Sequence, residues 1–412
     1  MDHHSCVTSS TSHPSRCTSQ QRPAAVVVGA GAAGIAALGN LLEALGPESS
    51  IAWVDPHFQG GRINAKYREV PSNTKVCHFL AYADAVEPFR EIAQTTPKPN
   101  AISLLQSLPQ DDTCSLQYAG DMLQMLSDGL LKNNRVSSWK GTVTSAELDP
   151  TDSTWLLTVK DGTGNVIQQL GTRLVIYCTG ALPTVVPLPS GISRKPELLE
   201  LDISLKPSLL SETLPKDREV CVGVIGASHS AVLVLMNLFT LSRNSHPLLR
   251  VRWFSRAKQL KYAEDKGDWI LYDNTGLKGC AAQFAREHLD GERLLHSEVG
   301  KIVARIDCSG GPEQETQAML RDIPGCDYVV QAIGFSTKAL PIKQQNAKFD
   351  NHTGTFIDQT TNKPIPGLHG AGIGFPERVT DPLGNVEYSV GFLKFMKFLK
   401  RVIPEWVQAS AE

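Results

Sequence analysis

No two of the nine cysteines in this 412-residue chain stand in C-x-x-C spacing, and their number is odd. A closely spaced redox disulfide is therefore not expected. Free thiols in a reducing compartment, the cytoplasm, fit best. The eleven histidines show no zinc-ligand spacing beyond His3-His4 near the N-terminus, so no metal is expected. The formal charge of −2 argues against nucleic acid or another polyanion as a partner. No apolar run approaches the roughly 18 residues of a membrane span. Residues 1–22 are rich in Ser, Thr and His, lack the apolar segment of a secretory signal and read as a disordered tail.

What the chain has is glycine in one telling pattern. Gly29-Ala30-Gly31-Ala32-Ala33-Gly34 follows the apolar run Ala24–Val28 and opens the helical stretch Ile35–Leu38. The first glycine of such a turn permits the tight bend. The second lets backbone approach a diphosphate, and the third lets helix pack on strand. The diphosphate then lies at a helix N-terminus, where free N–H groups favour anions. Ile51–Val54 reads as the second strand and ends at Asp55. That carboxylate is placed either to accept from ribose hydroxyls or to cap a turn. Gly60-Gly61-Arg62 reads as a tight loop at the ligand.

A second unit begins at Val220. The strand Val222–Ile225 leads into Gly226-Ala227-Ser228-His229-Ser230-Ala231 and a helix over Val232–Thr240. Its pattern is G-x-S-x-x-A, with small residues at two of the glycine positions. The next strand, Leu249–Phe254, ends in Ser255-Arg256, a base where the first unit has an acid. A cation there suits the 2′-phosphate of NADP, and a plain surface arginine is the alternative. Between the units, residues 95–135 read as helical, Gly141–Leu148 and Thr154–Val159 as strands, and Arg173–Tyr177 as a buried strand. Five prolines within residues 187–217 mark a connection. Asp327–Phe335 reads as another buried strand, and a final helix is expected from about Asn385 to Val402.

Together these elements resemble the two-dinucleotide-binding-domain flavoproteins, over roughly residues 23–402. The resemblance implies an α/β fold of two Rossmann-like domains, with an NADPH domain (216–340) inserted into an FAD domain (23–215 and 341–412). It implies that Gly29, Gly31, Gly34 and Asp55 hold the FAD adenosine and diphosphate, with Gly61 and Arg62 alongside. It assigns Gly226, Ser228, Ser230, Ala231 and Arg256 to NADPH. Thr179-Gly180 and Ala332-Ile333-Gly334 are similar to the two interdomain crossings, and Gly370 to Gly374 to the late segment beside the isoalloxazine.

Within that superfamily the monooxygenase branch is favoured. Ser72-Asn73-Thr74-Lys75 is similar to the Asn-Thr-Ser-Lys stretch of flavin-containing monooxygenases, although one residue shorter. Asp327-x-x-x-Gln-Ala-Ile-Gly-Phe is similar to a segment of N-hydroxylases. The fingerprint F-x-G-x-x-x-H-x-x-x-[W/Y] of Baeyer–Villiger and flavin-containing monooxygenases is not found. The implied activity is oxygenation of a small-molecule nitrogen, sulfur or carbon centre by O2 through a C4a-hydroperoxyflavin. Asn73 is the candidate to hydrogen-bond the peroxide, with a turn asparagine as its other reading. An FAD/NADPH reductase without a redox disulfide is the competing activity. A hydrolase built on Ser228, Asp327 and His369 would leave the first glycine turn unexplained. A nucleotide-bound regulator without catalysis is a further alternative. A homodimer is left open. The aromatic segment 261–276 faces either substrate or partner, or packs between domains.

Overall fold

The computed structural model describes residues 22–343 and 346–411. Of the tail read over residues 1–22, residues 1–21 lie outside them. Arg22, at its end, is tied to Asp152 by a 3.6 Å ion pair.

Two sheets built around parallel strands organise the chain, the first with an antiparallel edge. The first has seven strands in the order Ala347–Phe349, Thr355–Asp358, Lys363–Gly370, Val175–Tyr177, Ala25–Val28, Ile51–Asp55, Val136–Lys140. Its five last-named strands run parallel. The apolar runs at its centre are continuous because both faces are buried. Ala25, Val27, Ile51 and Trp53 point to one core, against the helices Ala32–Ala44, Leu116–Leu130 and Phe392–Ala411. Val26, Val28, Ala52 and Val54 point to the other. That second core is roofed by the antiparallel sheet Thr142–Asp149, Thr154–Lys160, Val166–Thr172, through buried Trp155, Leu157 and Val159.

The second sheet has five parallel strands in the order Glu197–Leu198, Tyr328–Gln331, Val220–Ile225, Leu249–Ser255, Val303–Asp307. The helices His229–Asn244 and Gly279–His288 cover one face, and Pro312–Asp322 covers the other. The two crossings between sheets run side by side. Leu182–Pro183 pairs antiparallel with Phe335–Ser336.

Several expectations need correction. The final helix begins at Phe392, because Val386–Ser389 pairs with Glu377–Thr380 as a hairpin. It also runs on through Pro404 to Ala411, with Trp406 buried against His369 at 4.2 Å between rings. The proline-rich connection contributes the edge strand Glu197–Leu198 and two short helices, Leu201–Ser204 and Pro207–Thr213. Val136–Lys140 and Val166–Thr172 were not expected as strands. Both are edge strands without the apolar period that marks a central strand: Val136–Lys140 is mostly polar and exposed, and Val166–Thr172 turns Val166 and Ile167 outward while burying Leu170 and Thr172. Among the described residues no helix is long and apolar enough to cross a membrane.

The tolerance of the first turn differs sharply between its glycines. A Cβ at Gly34 would lie 1.9 Å from the Gly29 carbonyl oxygen. A Cβ at Gly31 would meet nothing closer than the Gly61 Cα at 3.9 Å. Gly34→Ala should therefore destabilise the protein by about 1–3 kcal/mol through overpacking, and Gly31→Ala should stay within about 0.5 kcal/mol. Thermal midpoints of the flavin-free proteins check both.

Candidate functional site

The two glycine turns open onto one cleft of about 2060 Å³. That is about twice the upper end for an ordinary small-molecule pocket. In the first turn Gly29 has φ +110°, and a Cβ there would strike the Cys178 carbonyl at 2.4 Å. The Trp53 indole N–H donates to the Gly29 carbonyl at 3.0 Å. In the second, Gly226 has φ +133°, and a Cβ would strike the Ala332 carbonyl at 2.3 Å. The Trp253 indole N–H donates to the Gly226 carbonyl at 2.7 Å. Ala231 is buried beside Gly226, at the place Gly34 takes in the first unit. The paired tryptophans were missed in the sequence. Aligning Trp53-Val54-Asp55 with Trp253-Phe254-Ser255 would have found them.

Both helices start without a side-chain cap. Gly31 and Ser228 are the N-cap residues, neither gives a capping hydrogen bond, and neither first turn holds an acid. Their leading N–H groups are thus left for an anion. Gly31, Ser228, His229 and Ser230 line the cleft. Across from Gly31, Gly61 has φ +66°, and its Cβ would fall 2.7 Å from the Gly31 Cα. Two bare stretches of backbone therefore face each other, a cradle that side chains would fill. Three buried polar atoms of cleft-lining residues have no protein partner: Arg62 Nε, Tyr177 OH and His229 Nδ1. Burial and nearby Lys278 push His229 down to about 4, so it is neutral at pH 7. Two uncapped helix ends, a glycine cradle and unpaired donors in one cleft fit two dinucleotides.

Asp55 lines the cleft and holds the turn itself. Its Oδ2 accepts from Ala30 N–H, and its Oδ1 from His57 and Phe58 N–H, each at 2.8 Å. Arg62 turns toward Asp202, with Nη2 2.7 and 2.6 Å from the two carboxylate oxygens. The Tyr67 hydroxyl donates to the same carboxylate at 2.8 Å, and burial pushes that phenol up to about 12. Arg62 thus ties the first glycine loop to the segment leading to the second sheet. Thr179, Gly180, Gly334 and Gly372 line the cleft. Gly370 does not. It ends the strand Lys363–Gly370, and its Cβ would meet the Phe375 ring at 2.7 Å. Arg256 also lies off the cleft lining, 73% exposed, with Nε 2.7 Å from Glu315. Asn73 lies exposed at the cleft on the strand Pro71–Lys75, and its Oδ1 accepts from the Thr74 hydroxyl at 3.2 Å. Its amide N–H groups make no hydrogen bond among the described residues.

The aromatic segment 261–276 borders the cleft and is clasped to the returning chain. The buried Glu387 carboxylate accepts from Asn274 N–H at 3.0 Å, Thr275 N–H at 3.1 Å, the Asn274 amide at 3.3 Å and the Thr275 hydroxyl. Lys394 Nζ lies 2.7 Å from Asp273 and donates to Asn274 at 2.6 Å, while Lys278 pairs with the other Asp273 oxygen. Burial pushes the Asp273 carboxyl up. The hydrogen bonds from Lys278 and Lys394 outweigh that and hold it below its ordinary value. Glu387 and Lys394 were not singled out in the sequence, because the residues they join are more than a hundred positions apart.

The hydrolase triad does not assemble. Asp327 accepts from Cys221 N–H at 2.9 Å and pairs with Arg194, while His369 is stacked on Trp406. The seven described cysteines are all free, and the described residues hold no cluster of metal ligands.

Glu387→Ala would leave four donors of the clasp without an acceptor. We expect a loss of about 1–3 kcal/mol in stability and faster cleavage within residues 261–276 in limited proteolysis.

The family model described as FAD-NAD(P)-binding matches residues 26–182. Monooxygenase AgnR1 of Paecilomyces divaricatus is 51% identical over 398 residues, covering 94% of this chain and 99% of the relative. Among solved structures, the ornithine hydroxylase PvdA of Pseudomonas aeruginosa aligns with a TM-score of 0.60 at 10% identity, over 93% of this chain and 98% of that one. The S-allyl-L-cysteine S-oxygenase of Allium sativum aligns with a TM-score of 0.51 at 14% identity, over 93% and 76%. At those identities the two structures speak for the fold alone. The relative speaks for the family: this chain belongs to the flavoprotein monooxygenases with two dinucleotide-binding domains, one for FAD and one for a nicotinamide dinucleotide.

Proposed function

We propose that this monooxygenase takes electrons from NADPH and transfers one oxygen atom of O2 to a nitrogen, sulfur or carbon centre of a small molecule. The second oxygen atom leaves as water. The observation that carries the reading is the single cleft holding both uncapped helix ends, with the free amide of Asn73 on its wall and no bound thiol pair among its described residues. The bound flavin supplies the activation of dioxygen once it has been reduced.

The chain's own groups bind and orient. The helix beginning at Ala32 and the Gly61 cradle receive the FAD diphosphate, with Asp55 fixing the turn and able to take a ribose hydroxyl on its remaining lone pairs. Gly34 makes room for that helix. Thr179, Gly180 and Gly372 carry backbone to the cleft where the flavin ring is to lie, and Gly370 supports Gly372 from within the sheet. The helix beginning at His229, with Ser228, Ser230, Gly226 and Ala231, receives NADPH, and Gly334 borders it. Arg62 contributes its unpaired Nε as a donor while its other nitrogens hold the interdomain segment. Asn73 offers a neutral amide donor, which stabilises an oxygen anion without protonating it.

Arg256 is proposed to meet the 2′-phosphate by turning from Glu315. Losing that charge-assisted contact should cost about 1.5–3 kcal/mol. Arg256→Ala should then raise the KM for NADPH roughly ten- to a hundredfold and leave NADH nearly unchanged. Steady-state kinetics with both nucleotides checks it, and an equal change for both would return Arg256 to a structural role.

The reading as an oxygenase is tested by coupling. With a turned-over amine or thioether, each NADPH oxidised should consume one O2 and release one oxygenated product. Asn73→Ala should leave NADPH oxidation within about twofold. Product should fall by about a hundredfold, with hydrogen peroxide released in its place. Stoichiometric transfer of electrons to a dye or quinone, with no oxygenated product from any substrate, would favour the reductase.

A further inference from the structure

Cys221 and Cys326 are 105 positions apart in sequence, yet their sulfur atoms lie 3.9 Å apart. Cys221 is the second residue of the strand Val220–Ile225, at the end away from Gly226. Cys326 is fully buried, just before the strand Tyr328–Gln331 that pairs with it. One glycine makes room for Cys326 and another for Arg252. A Cβ at Gly223 would lie 3.2 Å from the Cys326 sulfur, and one at Gly325 would lie 2.5 Å from Arg252 Nη1. Cys221 is half-buried and borders a separate cavity of about 270 Å³, whose wall includes Arg250, Arg252, Lys301 and Glu219. Arg252 favours a thiolate there, against the carboxylates of Glu219 and of Asp327, the latter accepting from Cys221 N–H and itself paired with Arg194 and Arg218. Hydrogen bonding with Cys326 and the nearby Arg252 hold the Cys221 thiol below its ordinary value, while Cys326 is pushed up.

A reachable thiol in a cationic cavity, backed by a second thiol that solvent does not reach, is the arrangement of an attacking and a resolving cysteine. We propose that Cys221 and Cys326 are a redox modification site, in which hydrogen peroxide oxidises Cys221 and Cys326 closes a disulfide. The Cys221 thiolate attacks one peroxide oxygen. An S–O bond forms, the O–O bond breaks, and hydroxide leaves to take a proton as water. Sulfur loses two electrons and peroxide gains them. Cys326 sulfur then attacks Cys221 sulfur, the S–S bond forms, the S–O bond breaks, and the second oxygen leaves as water with the Cys326 proton. The sum is two thiols and one peroxide to one disulfide and two waters. Closing the gap to a bond of about 2.05 Å needs a side-chain movement of about 2 Å. The bond would join two neighbouring strands of the second sheet, far from the glycine turn, and does not depend on the oxygenase reading.

The test uses the full-length flavoprotein treated with hydrogen peroxide, alkylated and mapped by mass spectrometry without reduction. The expected result is a Cys221–Cys326 linked peptide, a loss of two hydrogens in intact mass, and reversal by dithiothreitol. Cys221→Ser should abolish the link and leave Cys326 alkylatable only after unfolding. Cys326→Ser should accumulate a dimedone-reactive Cys221 at several times the wild-type level. The proposal is overturned if both thiols stay reduced while exposed cysteines oxidise, if Cys221 links elsewhere, or if it proceeds to the sulfonic acid without linking. The wild-type map alone decides, should either variant fail to fold.

Discussion

The structure rests on how closely backbone can approach backbone at the first residue of each glycine turn. At Gly29 and Gly226 the chain bends with positive φ against the carbonyls of Cys178 and Ala332, each just past a neighbouring strand, leaving no space for a Cβ. A tryptophan from the second strand donates its indole N–H to the glycine carbonyl in both units. The amide N–H of each glycine donates to the residue after that tryptophan. Bend, indole and strand therefore hold one another. A buried indole needs a partner, and the glycine carbonyl, turned out of the ladder by the bend, supplies one. The same lock appears twice in a chain whose second turn has lost two of its three glycines. The lock thus requires the first glycine and the tryptophan, and Ala231 can stand where Gly34 stands.

From that bend follows the electrostatics. Each helix leaves its turn with unpaired N–H groups and no acid in its first turn, so both ends present positive potential to one cleft. Asp55 does not cancel it, since its two oxygens accept from three backbone N–H groups of the adjoining turns. The two sheets are then held together by polar joints. Arg62 reaches Asp202 on one side, Glu387 gathers Asn274 and Thr275 on another, and the crossings pair at Leu182–Pro183 and Phe335–Ser336. Carboxylates buried at such joints are strongly held only because every oxygen meets donors, and losing the set exposes the full cost of burial.

Much of the backbone around the cleft was legible. Gly29, Gly31, Gly34, Asp55, Gly61, Gly226 and Ser228 sit at the turns that their spacing marked, since glycine patterns encode backbone geometry directly, although Gly34 and Gly226 shape those turns from off the cleft lining. Thr179, Gly180 and Gly334 sit at the crossings that the family resemblance implied. Gly370 and Arg256 were not legible in the same way. One faces the sheet interior and the other an acid on a neighbouring helix, and no local pattern reports which way a residue points. The hairpin Glu377–Thr380 with Val386–Ser389 was hidden because its alternation is inverted: Val386 and Tyr388 face outward while Glu387 and Ser389 are buried. The segment 261–276 was ambiguous for a simpler reason: its partner Glu387 lies more than a hundred residues away.

The sequence by itself determined the architecture, the number of dinucleotide turns and their order along the chain. These depend on short-range rules: apolar strands buried on both faces, glycine where the backbone must bend or be bare, and helices that start at the bend. Tertiary structure alone decided which side chains finish the cleft. It brought Lys278 and Lys394 to a shared carboxylate, aimed His229 and Tyr177 inward without partners, and set Cys326 beside Cys221. Those outcomes depend on the register of strands and the packing of sheets. Two sulfurs or two lysines meet only after the backbone between them has been placed, and no local spacing carries that information.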